Sequence, residues 1–326
     1  MKKNLLILAA LSCSALIVMY ILVKGAEPDR IVTNFKRDYH KYQLIPVDTA
    51  LFPGRVSIMK AARGNVYGYV YNKNSIFRYN TLSHKLDTLI SKKDLPISMV
   101  TRLEIDTATR TFYIFDDSGS KIITYQPDEK KVTPVHNSFL VSEYDTTKKI
   151  MQLKLKSFLL KKTDTLLYQF PFFKDGGLSA DGFFIRNVAS RYHFYIPFYN
   201  SGIIRYDELL NKISFLNTID QTKASNIAVT AGNIYTRSSK SIVINSTATA
   251  DPKHLYVLSY VLSEDAITSG YRGPVVDVYS TVSGGYEGSF KLPGYQNKPV
   301  LQLAMYSDTL VAAYENNILI FKLTSL

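Results

Sequence analysis

The chain has 326 residues, with 39 Lys or Arg against 27 Asp or Glu and a formal net charge of +12. It contains 24 Tyr, 17 Phe, no Trp and a single cysteine, Cys13, in the apolar N-terminal stretch. One thiol excludes an intrachain disulfide and a zinc site built from several cysteines. The Tyr and Phe content favours strands, because aromatic residues suit half-buried pleated surfaces.

The N-terminal segment is the most apolar part of the chain. Lys2 and Lys3 precede an uncharged run over residues 5–23, and Lys24 follows it. As a helix rising 1.5 Å per residue, such a run spans about 28 Å, close to the roughly 30 Å of a bilayer's hydrocarbon core. The pattern predicts a transmembrane signal anchor or a signal peptide over residues 1–24, with membrane contact through residues 5–23.

The flanking charges predict the orientation of this segment. Lys2 and Lys3 are expected on the cytoplasmic side, which makes the chain a single-pass inner-membrane protein with its C-terminal domain in the periplasm. Two alternatives stay open: cleavage and secretion to the periplasm, or lipidation at Cys13 in the run AALSC. Cleavage after Ala26 would place Lys24 where a small residue is preferred. Residues 25–41 are predicted to be a juxtamembrane linker.

From Tyr42 onward, short alternating runs recur between turn residues, as expected for strands. Five of these runs are VYGYVYN, TFYIFDD, IMQLKLKSF, YHFYIPFYN and KHLYVLSYV. Several of these runs are followed, after a short turn, by a partner strand of one recurring shape. The six partner strands are SIFRYNT, KIITYQPD, TLLYQF, GIIRYDE, VVDVYS and ILIFKL. The repetition predicts copies of one supersecondary unit.

The aromatic residue shared by these second strands measures the repeat. The markers are Tyr79, Tyr125, Tyr168, Tyr206, Tyr279 and Phe321, separated by 46, 43, 38, 73 and 42 residues. A period near 40 to 45 residues is typical of four-stranded propeller blades. The sequence therefore predicts an all-β, six-bladed β-propeller over residues 42–326, or seven blades if the 73-residue gap holds a degenerate one. Two alternatives remain: a large insertion in that gap in place of a seventh blade, or a β-sandwich whose spacing is coincidental.

The last marker lies near the C-terminus, so the final blade has no outer strand of its own. We expect Tyr42–Asp48 (YQLIPVD) to supply this strand, which closes the ring and removes an exposed sheet edge. Inner strands are predicted at GRVSIMKA, TRLEID, DGFFIRN and VLQLAMYS, and outer strands at KLDTLI, KKVTPV, KISFLN and YEGSFKL.

In the spacing of its repeats, the chain resembles the TolB-like six-bladed β-propellers, especially exported bacterial members of unassigned function. The phrases that carry the likeness are DGFF, YIPFYNSGIIRYD, NTIDQTKAS and VVDVYSTVSGGYEGSFKLPG. The resemblance implies a ring with a central channel and variable loops, and it transfers no catalytic residue, because propellers host enzymes, sensors and scaffolds alike.

No known catalytic motif appears in the sequence. The five histidines lie at least 44 residues apart and belong to no HExxH spacing, and no Walker A or GxSxG motif occurs. FDDSGS fits a tight turn better than a calcium loop. No catalytic residue and no cofactor is predicted. If a divalent ion is held in the channel, as in propeller lactonases, its candidate ligands are Glu104, Asp106, Asp181 and Asp277.

A group of six lysines falls within 15 residues of the third repeat: Lys148, Lys149, Lys154, Lys156, Lys161 and Lys162. Alternation places Lys154 and Lys156 on one face of their strand. This basic patch is suited to an acidic partner or anionic headgroups, or it protects a sheet edge from aggregation.

The sequence favours a membrane-anchored binding or scaffold module for a protein, peptide or small ligand in the bacterial cell envelope. We expect a monomeric domain with an envelope protein or peptide as partner. Nucleic acid is not expected, because the domain is exported and has no stacking motif. The enzymatic alternative is a metal-dependent, lactonase-like hydrolase.

Overall fold

A computed structural model describes residues 12–20, 34–106, 109–116, 122–129, 131–134, 138–157, 165–187, 192–207, 209–223, 228–231, 234–238 and 241–326. Within these ranges the strands form six antiparallel sheets, which are the blades, and one two-stranded ribbon. The innermost strands of blades 1, 2, 4, 5 and 6 contact those of their neighbours around a ring. The protein is an all-β, six-bladed β-propeller, as predicted.

The strands of blades 1 and 2 are β2 (Val56–Ala62), β3 (Asn65–Val70), β4 (Ser75–Asn80), β5 (Lys85–Ile90), β6 (Val100–Asp106), β7 (Thr111–Asp116), β8 (Ile122–Gln126) and β9 (Lys131–Pro134). Those of blades 3 and 4 are β10 (Ser138–Asp145), β11 (Ile150–Ser157), β12 (Thr165–Gln169), β13 (Gly182–Asn187), β14 (Tyr192–Pro197), β15 (Gly202–Tyr206) and β16 (Lys212–Asn217). Those of blades 5 and 6 are β19 (Asn245–Ala250), β20 (His254–Ser259), β21 (Val275–Ser280), β22 (Tyr286–Lys291), β23 (Gln302–Tyr306), β24 (Thr309–Tyr314), β25 (Asn317–Ser325) and β1 (Tyr42–Leu51). Three short 3-10 turns span Tyr71–Lys73, Lys92–Asp94 and Leu178–Ala180.

The long gap between the fourth and fifth markers holds an insertion between blades 4 and 5. Its described strands, β17 (Ala228–Ala231) and β18 (Ile234–Arg237), pair as an antiparallel ribbon. Blade 5 begins at Asn245, inside the segment that the 73-residue spacing left without an assignment. Six blades are therefore present, and the seven-bladed alternative does not apply.

Strand β1 forms the outer edge of blade 6, because it pairs antiparallel with β25 from Tyr42 opposite Ser325 to Leu51 opposite Asn317. The register shifts between Pro46 and Asp48. A bulge at this point suits proline, which has no N–H to give to a ladder. The first strand of the ring thus completes the last blade through main-chain hydrogen bonds.

The hydrophobic core consists of layers between successive blades. Distinct clusters lie between blades 1 and 2, 3 and 4, 4 and 5, 5 and 6, and 6 and 1. The aromatic markers Tyr79, Tyr206, Tyr279 and Phe321 are all buried in these layers. With Tyr125 of blade 2, which is also buried, these markers occupy one packing position in five of the six blades, whereas Tyr168 of blade 3 is only partly buried.

Part of the predicted anchor lies within the described residues. Residues 12–20 are helical, and Cys13 is exposed there. In the portion of the chain that the structure covers, no helix has both the length and the apolar character needed to cross a bilayer. The remainder of the predicted anchor, residues 1–11 and 21–24, falls outside the described ranges.

The end of the predicted linker packs on blade 5. Over residues 34–41, the carbonyl of Phe35 accepts a hydrogen bond from the N–H of Glu264 (3.0 Å), and the carbonyl of Asp38 accepts one from Ser289 (2.7 Å). Between them, the Arg37 side chain enters the blade and meets Asp277. The folded domain therefore includes residues from 34 onward.

Candidate functional site: a pocket between blades 3 and 4

The four carboxylates considered as metal ligands have separate surroundings. Glu104 on β6 pairs with Lys60 on β2 (3.2 Å) and with Arg102 on its own strand (2.9 Å). Burial alone would raise the pKa of Glu104, but the charges of Lys60 and Arg102 outweigh it and hold that pKa below its ordinary value. This carboxylate already has two cationic partners on neighbouring innermost strands.

Asp277 on β21 is also engaged, since it forms a two-point ion pair with Arg37 and accepts a hydrogen bond from Ser289 (2.6 Å). Asp106 closes the turn after β6, where its carboxylate accepts hydrogen bonds from the Thr109 hydroxyl (2.9 Å) and N–H (3.4 Å). Over the described ranges, no three His, Cys, Asp or Glu side chains come together as a metal site.

Asp181 follows the turn Leu178–Ala180 and precedes β13. Its carboxylate accepts the N–H of Gly182 (2.9 Å), and burial raises its pKa above the ordinary value. Glycine is needed at position 182, because an added Cβ would lie 2.2 Å from the carbonyl oxygen of Ile196. Asp181 thus sits where blade 4 begins, at a close backbone approach.

The lysines of blade 3 do not form one continuous set in the described residues. Lys148 and Lys149 are exposed in the β10–β11 turn, while Lys154 pairs with Glu143 across the two strands (3.0 Å). The side chain of Lys156, and residues Lys161 and Lys162, lie outside the description.

A cavity of about 490 Å³ opens between blades 3 and 4. One wall is aromatic and contains Tyr168, Phe170, Phe173 and Phe215. The Tyr168 ring meets that of Phe170 edge to face, with centroids 4.9 Å apart, and that of Phe215 at 5.2 Å. Phe215 is 50 % exposed, so part of its surface is open to solvent. This volume and lining are typical of ligand pockets.

The loop after β12 is fixed by hydrogen bonds at Asp175. This carboxylate accepts the N–H groups of Gly177 (3.0 Å) and Ser179 (2.7 Å), as well as the Ser179 hydroxyl. Gly176 and Gly177 have φ angles of 67° and 86°, which glycine adopts without strain. The resulting tight loop positions Phe170 and Phe173 on the pocket wall.

The polar lining of the pocket comes from blade 4 and the loops that follow its strands. Asn200 ties the β14–β15 loop to the turn Leu178–Ala180, which connects blades 3 and 4, by donating to the carbonyl of Ser179 (2.8 Å). Asn245 donates to the carbonyls of Pro197 (2.8 Å) and Asn200 (2.9 Å), and this holds the loop from the side of blade 5. The loop is therefore preorganised and needs no ligand to order it.

The loop after β16 supplies the second polar element. Asp220 accepts hydrogen bonds from the Thr218 hydroxyl (2.7 Å) and from the N–H of Thr222 (2.9 Å), and the N–H of Ser201 donates to the Thr222 carbonyl (2.9 Å). Thr222 lines the cavity, and its buried hydroxyl has no hydrogen-bond partner among the described residues. A buried hydroxyl without a partner is costly in a folded protein, so this loop carries one unsatisfied polar group beside the cavity.

The rim of the pocket carries positive charge. Lys212 places its ammonium 3.5 Å from the centroid of Phe215 and 5.2 Å from that of Tyr168, in cation–π geometry. Lys223 is exposed at the rim. Asp175 and Asp220 are buried and turned to their own loops, so positive charge dominates at the opening.

Reasoning from the sequence did not identify this pocket. Two of the phrases that carried the family resemblance, YIPFYNSGIIRYD and NTIDQTKAS, supply most of its blade 4 side. The feature of these two phrases that could have indicated a binding site is their content of Asn, Ser and Thr, which exceeds what strand alternation requires. In the sequence, Tyr168 is identified only as a marker of the repeat and not as a pocket residue.

Two solved structures with a similar architecture come from Bacteroides species. A protein of unknown function from Bacteroides thetaiotaomicron is 10 % identical over 90 % of this chain and 75 % of its own, with a TM-score of 0.52. A member of the DUF4221 family from Bacteroides vulgatus is 12 % identical over 88 % of this chain and 99 % of its own, with a TM-score of 0.51. At these identities the likeness shows the propeller fold alone.

No family model matches the chain, and no curated protein matches it. The two solved structures show the fold class and its occurrence in bacterial proteins of unknown function. The narrower resemblance to TolB-like propellers stays a prediction.

Proposed function

We propose that this protein is a non-enzymatic binding module that holds a peptide or small ligand in the pocket between blades 3 and 4. The observation that carries the proposal is the preorganised cavity of about 490 Å³, whose lining combines four aromatic rings with the polar residues Asn200, Ser201, Asn217 and Gln221. Aromatic walls with a few placed polar groups bind a ligand's apolar body and fix its orientation. The ligand class is one with an aromatic or apolar group beside a hydrogen-bonding group.

The arrangement of carboxylates supports binding over catalysis. A lactonase-like hydrolase would need several carboxylate or amide groups aimed at one point in the channel. Glu104 is held by Lys60 and Arg102, and Asp277 by Arg37. We therefore propose no reaction for this chain.

The proposed site of action is the cell envelope, with the propeller outside the cytoplasmic membrane and held to it by the N-terminal segment. The support is the lysine-flanked apolar run over residues 5–23. The full-length protein is expected in the membrane fraction after alkaline extraction. Recovery in the soluble fraction would contradict a spanning anchor, and membrane association that is lost in Cys13→Ser would indicate lipidation instead.

Photo-crosslinking in the native host tests the pocket. A photoreactive phenylalanine analogue at position 215 is expected to give a defined adduct, whereas the analogue at Tyr71 is not. Tyr71 is a matched control, because it is an exposed aromatic (59 %) in the β3–β4 turn of blade 1.

The captured molecule is then titrated against the purified full-length protein. Binding with one-to-one stoichiometry, weakened about tenfold or more by Phe215→Ala and unchanged by Tyr71→Ala, would support the proposal. Equal adducts at both positions, or binding that Phe215→Ala leaves unchanged, would refute it.

A further inference from the structure

A second pocket, between blades 1 and 2, is built from arginines around an aromatic floor. Its volume is about 260 Å³, and its lining includes Arg63, Arg78, Arg110, Tyr67 and Phe112. The rings of Tyr67 and Phe112 meet edge to face with centroids 4.9 Å apart. The pocket therefore combines a small apolar surface with three guanidinium groups.

The ion pairs of these arginines leave one positive charge in excess. Arg78 makes a two-point ion pair with Asp87 (Nε–Oδ1 3.1 Å). Arg110 has only a loose contact with Asp128 (4.0 Å), and both of these side chains are more than half exposed. In the described part of the chain, Arg63 has no carboxylate partner. Three cations against two anions leave a net charge that matches one carboxylate.

Two of the arginines occupy equivalent turns in neighbouring blades. Arg63 lies in the β2–β3 turn with φ 49°, and Arg110 precedes β7 with φ 56°. Arg63 is followed by Gly64 with φ 71°, so both central residues have the positive φ of a type I′ turn. Asn or Gly is preferred at such positions, and a long side chain is uncommon there. Both arginines line the same pocket, so the two turns bring two guanidinium groups to it.

All three guanidinium groups act on one point of the floor. Burial raises the pKa of Tyr67, the charges of Arg78, Arg110 and Arg63 oppose that rise, and the charge of Asp87 adds to it. Three cations and one anion therefore act on the Tyr67 hydroxyl, and an anion beside it would gain from the excess positive charge. Guanidinium groups are well suited to carboxylates, since their N–H groups match the two oxygens.

We propose that this pocket binds the carboxylate of a ligand with an aromatic or apolar body, a role separate from that of the blade 3–4 pocket. Arg63 and Arg110 contact the carboxylate, and the rings of Tyr67 and Phe112 contact the apolar body. A single excess charge favours a monocarboxylate over a phosphate dianion. The ligand is either a free acid or the C-terminal residue of a polypeptide, which present the same chemistry.

Calorimetric titration of the full-length protein tests the proposal with N-acetyl-L-phenylalanine and its amide as probes. The acid is expected to bind at least about tenfold more tightly than the amide, because charge-assisted hydrogen bonds are lost in the amide. Equal binding of the two probes, or no saturable binding of the acid at about 10 mM, would overturn the proposal. This comparison on the unmodified chain does not depend on any variant folding.

The double variant Arg63→Asn and Arg110→Asn keeps residues that tolerate positive φ and removes both charges. It is expected to weaken binding of the acid by about tenfold or more. The matched control is Lys149→Asn, which removes a cation at φ 56° from the β10–β11 turn of blade 3. An equal loss in the control, or unchanged binding in the double variant, would count against the site.

A peptide that ends in phenylalanine distinguishes the two sources. Tighter binding of this peptide than of N-acetyl-L-phenylalanine assigns the site to a polypeptide C-terminus, and equal binding assigns it to a free acid. In both cases the carboxylate must be required for binding, as the comparison of acid and amide tests. Because Phe215→Ala leaves this pocket intact, failure here and failure of the proposed function are separable.

Discussion

Arg37 and Asp277 form a buried ion pair between the N-terminal segment and blade 5. Nε of Arg37 lies 2.7 Å from Oδ1 of Asp277, Nη2 lies 3.0 Å from Oδ2, and Nη1 donates to the carbonyl of Val261 (2.8 Å). Burial disfavours the charged guanidinium, but the charge and hydrogen bonds of Asp277 outweigh this effect and raise the pKa of Arg37. Both side chains are at most 1 % exposed, so each depends on the other.

Replacing Arg37 with methionine is expected to lower the free energy of unfolding by about 3–5 kcal/mol, because it leaves a buried carboxylate without its cation. Urea unfolding of the full-length protein measures the effect. Lys36→Met is the control, since Lys36 is 73 % exposed and its pair with Glu264 is 3.7 Å long, and its expected change is below about 1 kcal/mol. A similar small change in both variants would show that Arg37 does not hold the segment.

Replacing Thr222 and replacing Thr218, on the same loop, are expected to change stability in different directions. Thr222→Val removes a buried hydroxyl without a partner among the described residues, and we expect stability to stay the same or rise by about 1 kcal/mol. Thr218→Val removes a hydroxyl that donates to Asp220 at 2.7 Å, and we expect a loss of about 1–3 kcal/mol. Chemical denaturation of the two variants checks the contrast, and equal destabilisation would mean that the Thr222 hydroxyl has a partner.

Gly182 permits the close approach of β13 and β14. In Gly182→Ala the added Cβ would meet backbone atoms of Ile196 and Pro197 at 2.2 and 2.7 Å, so we expect a loss of about 3 kcal/mol or more. Gly294→Ala is the matched control, because a Cβ there has no neighbour within 4 Å. Thermal unfolding should separate the two variants clearly, and an unchanged midpoint for Gly182→Ala would contradict this geometry.

His254 of blade 5 contacts both two carboxylates and the closing strand β1. His254 lies 3.2 Å from Asp251 and 3.3 Å from Glu287, and its ring contacts that of Tyr42 on β1 edge to face. The hydrogen bond to Asp251 is the largest cause that raises its pKa, burial opposes it, and the charges of both carboxylates add to the rise. The pKa of Asp251 is lowered to about 2 by hydrogen bonds that outweigh its burial, including those from His254 and Tyr256.

The sign of the pH effect follows from the raised pKa of His254. Its contribution to stability is fully present below the ordinary value of 6.5 and is lost as the pH rises through the higher folded value. Lys253 nearby opposes the protonated form, and the Tyr256 hydroxyl stays neutral in this range because its pKa is raised. The unfolding free energy should therefore fall as the pH rises above 6.5 and through the raised pKa of folded His254, and this fall should be smaller in His254→Gln. Identical pH profiles for the two proteins would exclude this role of His254.

The alternating runs and their period determined the propeller, because alternation and turn residues are local properties of the chain. The outer strands Lys85–Ile90 and Lys212–Asn217 were placed to the residue, and β1 lies where the missing outer strand was expected. These features need no knowledge of which side chains meet across blades.

Contacts between distant residues were decided only by the tertiary structure. The sequence leaves Asp277 as a candidate metal ligand, because it does not show that Arg37, 240 positions away, enters blade 5 to pair with it. The pocket between blades 3 and 4 likewise joins Tyr168 of one blade with Thr222 beyond the next. The sequence by itself determined the repeat and the ring. Only the packing of blade against blade decided which polar groups are satisfied and which remain for a ligand, because that depends on neighbours far apart in the chain.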